Sequence, residues 1–288
     1  MKVEYTLRDL FKRFIEEVCP YRRGGKQERH RLNKLMRDVI SEVAICDLKG
    51  SDFACYITRQ THLMSSSINR DITVIMSVLA YARKYWRIDI PNISGSFERP
   101  QDPPPRDRRI SSREVARIVA VGDPEGFISG KRRVPLHANK SVVVCIVFLL
   151  AIETAMRKSE ILRLRHSDID LEERFANIRI SKNRRARKVP LSEEAIRLIM
   201  KMKTPKDGLI FDLNGHTMCT VFRRIRKRAG IVGVTFHDSR HEATTRLASV
   251  LDALPLSRVT GHTDLKMLLR YYNATTKELA HLIDAGRK

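Results

Sequence analysis

The chain has 288 residues, of which 42% are hydrophobic, and this is enough to fill one large core or two ordinary ones. Its 55 Lys and Arg against 33 Asp and Glu give a formal net charge of +22, which runs through folded-looking sequence and is not confined to a tail. We therefore expect a folded soluble protein with a polyanionic partner, most commonly nucleic acid. A basic protein with an ordinary solvated surface, a ribosomal protein or a membrane-surface protein would also carry such a charge.

The cysteines and the apolar runs exclude two further classes. Five cysteines without a C-x-x-C pair suggest neither a disulfide framework nor a zinc knuckle, and a reduced cytoplasm fits them. The first ten residues lack the apolar core of a signal peptide, and the longest apolar run, residues 142–152, is too short to span a bilayer. We expect a cytoplasmic protein without a membrane segment, in which residues 142–152 form a buried helix.

The first hundred residues predict four helices packed on one another. A Thr6/Asp9 cap opens the first helix and Pro20 closes it. The apolar residues with helical spacing are Leu7, Leu10, Phe11, Phe14, Ile15 and Val18 in the first segment, Leu32, Leu35, Met36, Val39, Ile40 and Val43 in the second, Phe53, Tyr56 and Ile57 in the third, and Ile68, Ile72, Met76 and Leu79 in the fourth.

A linker is predicted at residues 98–109. The sequence "ERPQDPPPRDRR" combines four prolines with charged residues and has no apolar side chain, which is typical of an extended segment. We place the domain boundary there, between residues 1–97 and residues 110–288. The net charge is +7 for residues 1–109 and +15 for the rest, so both parts could contact the same polyanion.

Helical signals also dominate after the linker, with one exception. "SSRE" at residues 111–114 resembles a capping box that opens a helix. In "FANIRISKNRRARKVPL", residues 175–191, apolar residues alternate with polar ones on both sides of a polar turn, which predicts a β-hairpin. The predicted fold is therefore mainly α with a small β-sheet. The basic residues assigned to the hairpin turn are Lys182, Arg184, Arg185, Arg187 and Lys188.

Four clusters in the second part carry groups suited to phosphodiester chemistry. That chemistry needs a nucleophile, cations for the non-bridging oxygens and an acid for the leaving oxygen. Arginine suits the cationic role because its planar fork can donate two hydrogen bonds to one phosphate. The candidates are Arg157 and Glu160 in "ETAMRKSEIL", Lys182 in "ISKN", His237 and Arg240 in "FHDSRHE", and His262 in "TGHTD", nine residues before Tyr271 of the pair Tyr271–Tyr272.

Each cluster also has an ordinary explanation when taken alone. Arg157 could serve a helix end, Lys182 could be a general phosphate contact, and His262 could be a satisfied turn histidine. The basic run at residues 223–228 could be a helix face that meets phosphates or only water. His237 and His241 could bind zinc on a helix face, but the pattern is not H-E-x-x-H and no third ligand follows, so no metal site is predicted.

The order and spacing of these clusters resemble the signature of the tyrosine recombinases, the phage integrase family. "TAMRKSEIL" is similar to the first arginine box, "SKNRRARKVPL" to the lysine hairpin, "FHDSRHEATTRLA" to the H-x-x-R box and "TGHTDLKMLLRYYN" to the final histidine and tyrosine. The resemblance covers nearly the whole chain, with Ala155 where the family usually has Gly and Ser239 where it usually has Leu. It implies a four-helix, SAM-like core-binding domain at residues 1–97 and a mixed α/β catalytic domain with a C-terminal tail helix at residues 110–288, as in two-domain Xer-type enzymes without an arm-binding domain.

The resemblance also implies a mechanism. A tyrosine would attack the scissile DNA phosphate and form a 3′-phosphotyrosyl bond, without a cofactor or metal ion. The implied roles are Arg157 and Arg240 on the non-bridging oxygens, His262 as a further donor, Lys182 as the acid for the 5′ oxygen, His237 as an assisting group and Glu160 as support.

The implied partners are double-stranded DNA recombination sites, which four protomers would join through a Holliday junction in the nucleoid, together with accessory directionality or DNA-bending factors. Two other functions stay open, a type IB topoisomerase-like enzyme and a non-cleaving DNA-binding protein with the same fold. The tail, with Leu279, Leu282 and Ile283 at helical spacing, could pack on its own domain or, as the resemblance favours, on a neighbouring protomer.

Spacing within the family selects Tyr271 as the nucleophile, and helix geometry agrees. Leu265, Leu268, Leu269 and Tyr272 fall on one predicted apolar stripe, which makes Tyr272 a packing residue, whereas Tyr271 lies about 100° around the helix.

Overall fold

The computed structural model describes residues 5–104, 108–135, 139–179, 186–205 and 208–272. The chain forms two compact units, Met1–Arg106 and Asp107–Lys288, called here the N-terminal and C-terminal units. The predictions for Lys182, Arg184, Arg185 and the tail helix lie outside the described residues.

The N-terminal unit contains the four predicted helices around one core. The Thr6/Asp9 capping box is present, with the Thr6 N–H donating to Asp9 Oδ2 at 3.0 Å. The helices are α1 (Leu7–Glu17), α2 (Gly25–Leu35), α3 (Gly50–Arg59) and α4 (Ser65–Tyr85). Their apolar faces meet in a core that includes Leu10, Phe14, Leu32, Phe53 and Ile72.

The predicted course of the second helix is wrong after Leu35. The chain leaves α2 there and forms a 3₁₀ turn, Val39–Glu42, in which Val39 is exposed. The cause is local, because the side chain of Asp38 accepts a hydrogen bond from the Ile40 N–H at 3.0 Å and starts the new turn. Ile40 is nevertheless buried in the core. The apolar spacing therefore predicted the burial of this residue correctly, but it did not predict where the helix ends.

A buried carboxylate connects three helices of this unit. Asp71 on α4 is fully buried and accepts hydrogen bonds from the Tyr56 hydroxyl at 2.8 Å and from Lys34 Nζ at 3.1 Å. Arg31 on α2 forms an ion pair with the same carboxylate. Because each oxygen has a partner, the charge is compensated inside the core.

The C-terminal unit is built around one helix that is apolar on all sides. This is α6 (Lys140–Thr154), which contains the run predicted to be a buried helix and is covered by other helices of the unit. The capping box at Ser111 and Glu114 opens α5 as predicted. The remaining helices are α5 (Ser112–Gly122), α7 (Lys158–Ile161), α8 (Glu193–Met200), α9 (Gly215–Arg228), α10 (Phe236–Ala248), α11 (Ala253–Thr260) and α12 (Lys266–Leu269).

A small antiparallel sheet lies in this unit, in the order β1–β2–β3. The predicted hairpin is confirmed by β2 (Phe175–Ile178) and β3 (Arg187–Pro190), with Ala176 opposite Val189 and Ile178 opposite Arg187. The edge strand β1 (Ile169–Asp170) was not predicted, since two residues give no alternation to detect. Arg187 and Lys188 are strand residues, so their assignment to the turn is wrong.

The apolar stripe predicted near the paired tyrosines is wrong in part. Leu268 is fully buried, but Leu265 and Leu269 are 42% and 61% exposed. The reason is that α12 makes a single turn, which directs fewer residues inward than a long helix would. Among the described helices, none has both the length and the apolar character needed to cross a membrane.

Candidate active site

The end of the buried helix α6 places Arg157. Ala155 caps α6 in the left-handed region with a φ of +52°, a conformation that favours glycine over alanine. Alanine is therefore strained at this position, but the chain still adopts the left-handed turn that ends α6. Two residues later, Arg157 is the N-cap of α7, and its backbone N–H donates to Glu160 Oε2 at 2.9 Å. The Arg157 side chain donates from Nη1 to Glu160 Oε1 at 3.1 Å and from Nη2 to the Gly261 carbonyl at 3.3 Å.

Arg240 lies on the inner face of α10 and is only 5% exposed. It donates from Nη1 to the Ala155 carbonyl at 2.5 Å and from Nη2 to the Thr260 carbonyl at 2.6 Å. Burial, followed by the neighbouring charge of Arg157, lowers the pKa of Arg240 to about 9, so the guanidinium remains cationic at neutral pH. The strained turn at Ala155 therefore contributes a carbonyl that orients the second arginine.

Glu160 is the acidic centre of the cluster. Its side chain is 2% exposed and forms ion pairs with Arg157 and with Arg187 on β3. Burial alone would raise the pKa of Glu160, but hydrogen bonds from Arg187 and from the Arg157 backbone, with the charges of both arginines, lower it to about 2. The carboxylate is therefore ionised at neutral pH.

The hydrogen bonds of His262 define its tautomer. The Thr260 hydroxyl donates to the Leu256 carbonyl at 2.7 Å, so its oxygen accepts from His262 Nδ1 at 2.7 Å. The proton is then on Nδ1, and Nε2 presents its lone pair to Arg240 Nη2 at 3.4 Å. Burial and the charges of Arg240 and Arg157 lower the pKa of His262 to about 4, which agrees with a neutral ring.

The paired tyrosines differ in their surroundings. The ring of Tyr271 lies 5.1 Å from that of His241 and beneath the guanidinium of Arg270, which itself contacts His241 Nε2 at 2.7 Å. The charge of Tyr271 raises the pKa of Arg240, but burial and the charges of Arg157, Glu160 and Arg187 have larger effects on that pKa. The hydroxyl of Tyr272 instead donates to the Leu251 carbonyl at 2.5 Å.

The structure gathers most of the predicted site residues. Arg157 is hydrogen-bonded to Glu160, and Arg240 contacts His262; both arginines also donate to the turn of Thr260 and Gly261. The ring contacts of Tyr271 are with His241 and Arg270. His237 is exposed at the start of α10. Its charge lowers the pKa of His262, although burial of His262 and the charges of three arginines lower that pKa more. Lys182 lies outside the described residues.

One member of the cluster was missed, because Arg187 was assigned to the turn. The two-residue period of a strand could have identified it, since Arg187 lies on the same face of β3 as the buried Val189. The unusual Ser239 is fully buried and donates from its hydroxyl to the Phe236 carbonyl at 2.6 Å. The buried hydroxyl of Ser239 therefore has a hydrogen-bond partner.

The arrangement is suited to an anion. Two guanidinium groups pair with the Glu160 carboxylate and a third, that of Arg240, is held by backbone carbonyls, which leaves an excess of positive charge in a partly buried site where electrostatic interactions are strong. Within the described ranges there is no group of three or more His, Cys, Asp or Glu that could bind a metal ion. Paired arginines, a neutral histidine and an adjacent tyrosine on this mainly helical fold define a tyrosine recombinase, an enzyme that cleaves and rejoins DNA strands.

The comparisons with known proteins agree with that class. Residues 134–278 match the family model described as the phage integrase family, and the chain belongs to that family. It is 27% identical to the shufflon-specific DNA recombinase of Escherichia coli, over 96% of this chain and 71% of that protein. These matches support site-specific recombination and give no support to the topoisomerase alternative.

Two solved structures share the fold. The Tn1549 transposon integrase in complex with a circular intermediate DNA has a TM-score of 0.75 at 17% identity, covering 98% of this chain and 99% of that one. A lambda integrase tetramer bound to a Holliday junction has a TM-score of 0.71 at 14% identity, covering 94% of this chain and 78% of that one.

Proposed function

We propose that this recombinase cleaves double-stranded DNA with Tyr271 as the nucleophile. The phenolic oxygen attacks the scissile phosphorus and forms a 3′-phosphotyrosyl bond, while the bond to the 5′ oxygen breaks and that oxygen takes up a proton. The 5′-hydroxyl of the partner strand then attacks the phosphotyrosine and releases the enzyme. The bond energy remains in the covalent intermediate, so the exchange needs no ATP.

The contacts of the site support specific roles for its residues. Arg157 and Arg240 would bind the non-bridging oxygens of the phosphate. His262 would donate to the same group after the bound anion raises its pKa and Nε2 takes up a proton. Glu160 would orient Arg157. His237, exposed beside the cluster, would assist proton transfer at the tyrosine, and Lys182, by family resemblance, would protonate the leaving oxygen.

The observation that carries the proposal is the shared anchoring of the two arginines. Arg157 donates to the Gly261 carbonyl and Arg240 to the Thr260 carbonyl, so one short turn orients guanidinium groups that are 83 residues apart in sequence. His262 belongs to the same turn, and Tyr271 follows nine residues later. Arginine forks oriented in advance stabilise developing phosphate charge because they need no reorganisation during the reaction.

We further propose how the chain engages its partners. Residues 1–97 would be a core-binding domain, residues 98–109 a linker and residues 110–288 the catalytic domain, and both basic domains would contact the phosphate backbone. Four protomers would join two DNA sites through a Holliday junction, as the lambda integrase tetramer is described. Directionality or DNA-bending proteins would act as accessory factors.

The test is covalent adduct formation on nicked DNA duplexes taken from the flanks of the gene. Tyr271→Phe should bind these duplexes but form no adduct, because the nucleophilic oxygen is absent, whereas Tyr272→Phe should still form one. Denaturing gels detect the adduct and gel shifts measure binding. An adduct that persists in Tyr271→Phe and disappears in Tyr272→Phe would assign the nucleophile to Tyr272.

Two further readouts separate the other functions. A plasmid with two sites should yield exchanged products, while relaxation of supercoiled DNA without exchange would indicate topoisomerase-like activity. DNA binding without any adduct in the wild-type protein would indicate a non-cleaving DNA-binding protein.

A further inference from the structure

Arg187 has no role in the proposed chemistry, yet it donates three hydrogen bonds to two segments of the site. It donates from Nη1 to Glu160 Oε1 at 2.9 Å and from Nη2 to Glu160 Oε2 at 2.8 Å, which is a bidentate pair. Its Nε donates to the Val259 carbonyl at 3.0 Å, near the end of α11. The Arg187 side chain is only 10% exposed, so it makes these contacts inside the protein and not at the solvent-facing surface.

We propose that Arg187 is a positioning residue for strand cleavage, which acts through Glu160 on Arg157 and fixes the turn that carries His262. The inference rests on the proposed function. Arg187 differs from the arginines assigned to the phosphate because all three of its nitrogens donate within the protein, two to Glu160 and Nε to Val259, whereas the hydrogen bonds of Arg157 and Arg240 described above come from Nη1 and Nη2.

The pairing with Glu160 determines how much of Arg157 remains available. Because Arg187 engages both carboxylate oxygens, Arg157 is not the sole counter-ion of Glu160 and keeps donors for another anion. Without Arg187, the buried carboxylate would have Arg157 as its nearest cation and would draw that guanidinium away from a phosphate. Lysine would not replace Arg187, because a point charge lacks the planar fork that makes the bidentate contact.

The turn before His262 packs directly on Arg187. A Cβ atom at Gly261 would lie 3.1 Å from Arg187 Cζ and Nε, and Gly261 has a φ of +69°. Both the backbone conformation and the close guanidinium therefore require glycine here. Since the carbonyls of Thr260 and Gly261 bind Arg240 and Arg157, a displaced Arg187 would disturb both arginines through this turn.

The experiment is a double-mutant cycle between Arg187→Met and Glu160→Gln in the full chain. The rate of adduct formation is measured in a single turnover on the nicked duplex, next to binding of the same duplex. Arg187→Met should slow adduct formation about 100-fold, the scale expected for a misplaced catalytic group. Binding should stay within about threefold of wild type, because most affinity comes from other phosphate contacts.

The double variant should be no slower than Arg187→Met alone, because both changes interrupt the same connection to Arg157. It also removes both buried charges, so where Arg187→Met unfolds the double variant is compared with Glu160→Gln and should be no slower than that single variant. Arg187→Lys should remain slow. The control is Arg174→Met, which removes an arginine that is 54% exposed and pairs with a Glu193 that is 92% exposed, and it should cleave at the wild-type rate.

Each other outcome has a defined meaning. Losses that multiply in the double variant, or full activity in Arg187→Lys, would overturn the positioning role. An equal loss of binding and cleavage in Arg187→Met would make Arg187 a phosphate ligand instead. If wild type itself forms no adduct, the proposed function fails, whereas an active wild type with an active Arg187→Met refutes this inference alone.

Discussion

Acid should destabilise the C-terminal unit through His262. In the native fold Nε2 faces Arg240 with its lone pair, and burial with the charges of Arg240 and Arg157 lowers the pKa from 6.5 to about 4. In the unfolded chain the imidazole titrates near 6.5. Between these values the unfolded state binds more protons than the native state, so the stability falls as the pH falls.

The size of the effect follows from the shift. Each pKa unit corresponds to about 1.4 kcal/mol, so the full shift amounts to about 3.5 kcal/mol, and solvent at the partly exposed ring reduces it to between about 1 and 3 kcal/mol. The penalty is absent above pH 6.5, grows as the pH falls and is complete below pH 4.

The assay is urea denaturation of the full chain at pH 7.5 and pH 4.5, followed by circular dichroism. Wild type should lose about 1–3 kcal/mol more than His262→Asn on this change of pH, because asparagine cannot take up the proton. His216→Asn, at an exposed position of α9, controls for the loss of a histidine and should behave as wild type. An equal loss in wild type and His262→Asn would refute the neutral imidazole and its hydrogen-bond pattern.

Three further substitutions test other parts of the structure. Ala155→Gly should raise the free energy of unfolding by up to about 1 kcal/mol in urea denaturation, because it relieves the left-handed strain; a decrease would mean that the buried methyl group matters more. Asp71→Asn should cost about 3 kcal/mol, because Lys34 and Arg31 lose their buried counter-charge, and unfolding followed by the fluorescence of Trp86, the single tryptophan, measures it. Tyr272→Phe should cost about 1 kcal/mol for the lost hydrogen bond, and no change would place that contact outside the native state.

The candidate site could be predicted from the sequence because its residue types follow one another in the order and spacing typical of the family. Arg157, Glu160, Arg240, His262 and Tyr271 could all be selected from spacing and family resemblance, and the structure brings the first four together around one turn. Local patterns worked where the cause was local. The capping boxes and the apolar run of α6 depend on neighbouring residues alone, and each is found as predicted.

Local patterns failed where a second local signal or a short element decided where a helix ends. The second helix of the N-terminal unit ends early because Asp38 caps a new turn, and α12 is too short to bury the predicted stripe. A periodic pattern records which residues avoid water. It does not record where a helix stops.

What the sequence by itself determined is the set of chemical groups: two arginines, a histidine and a tyrosine in an order typical of one family. Only the tertiary structure decided how they are oriented. The Ala155 carbonyl binds Arg240, the Thr260 hydroxyl sets the tautomer of His262, and Arg187 on β3 binds Glu160 on α7. These contacts join residues far apart in the chain or depend on the direction of a backbone carbonyl, which no residue spacing encodes.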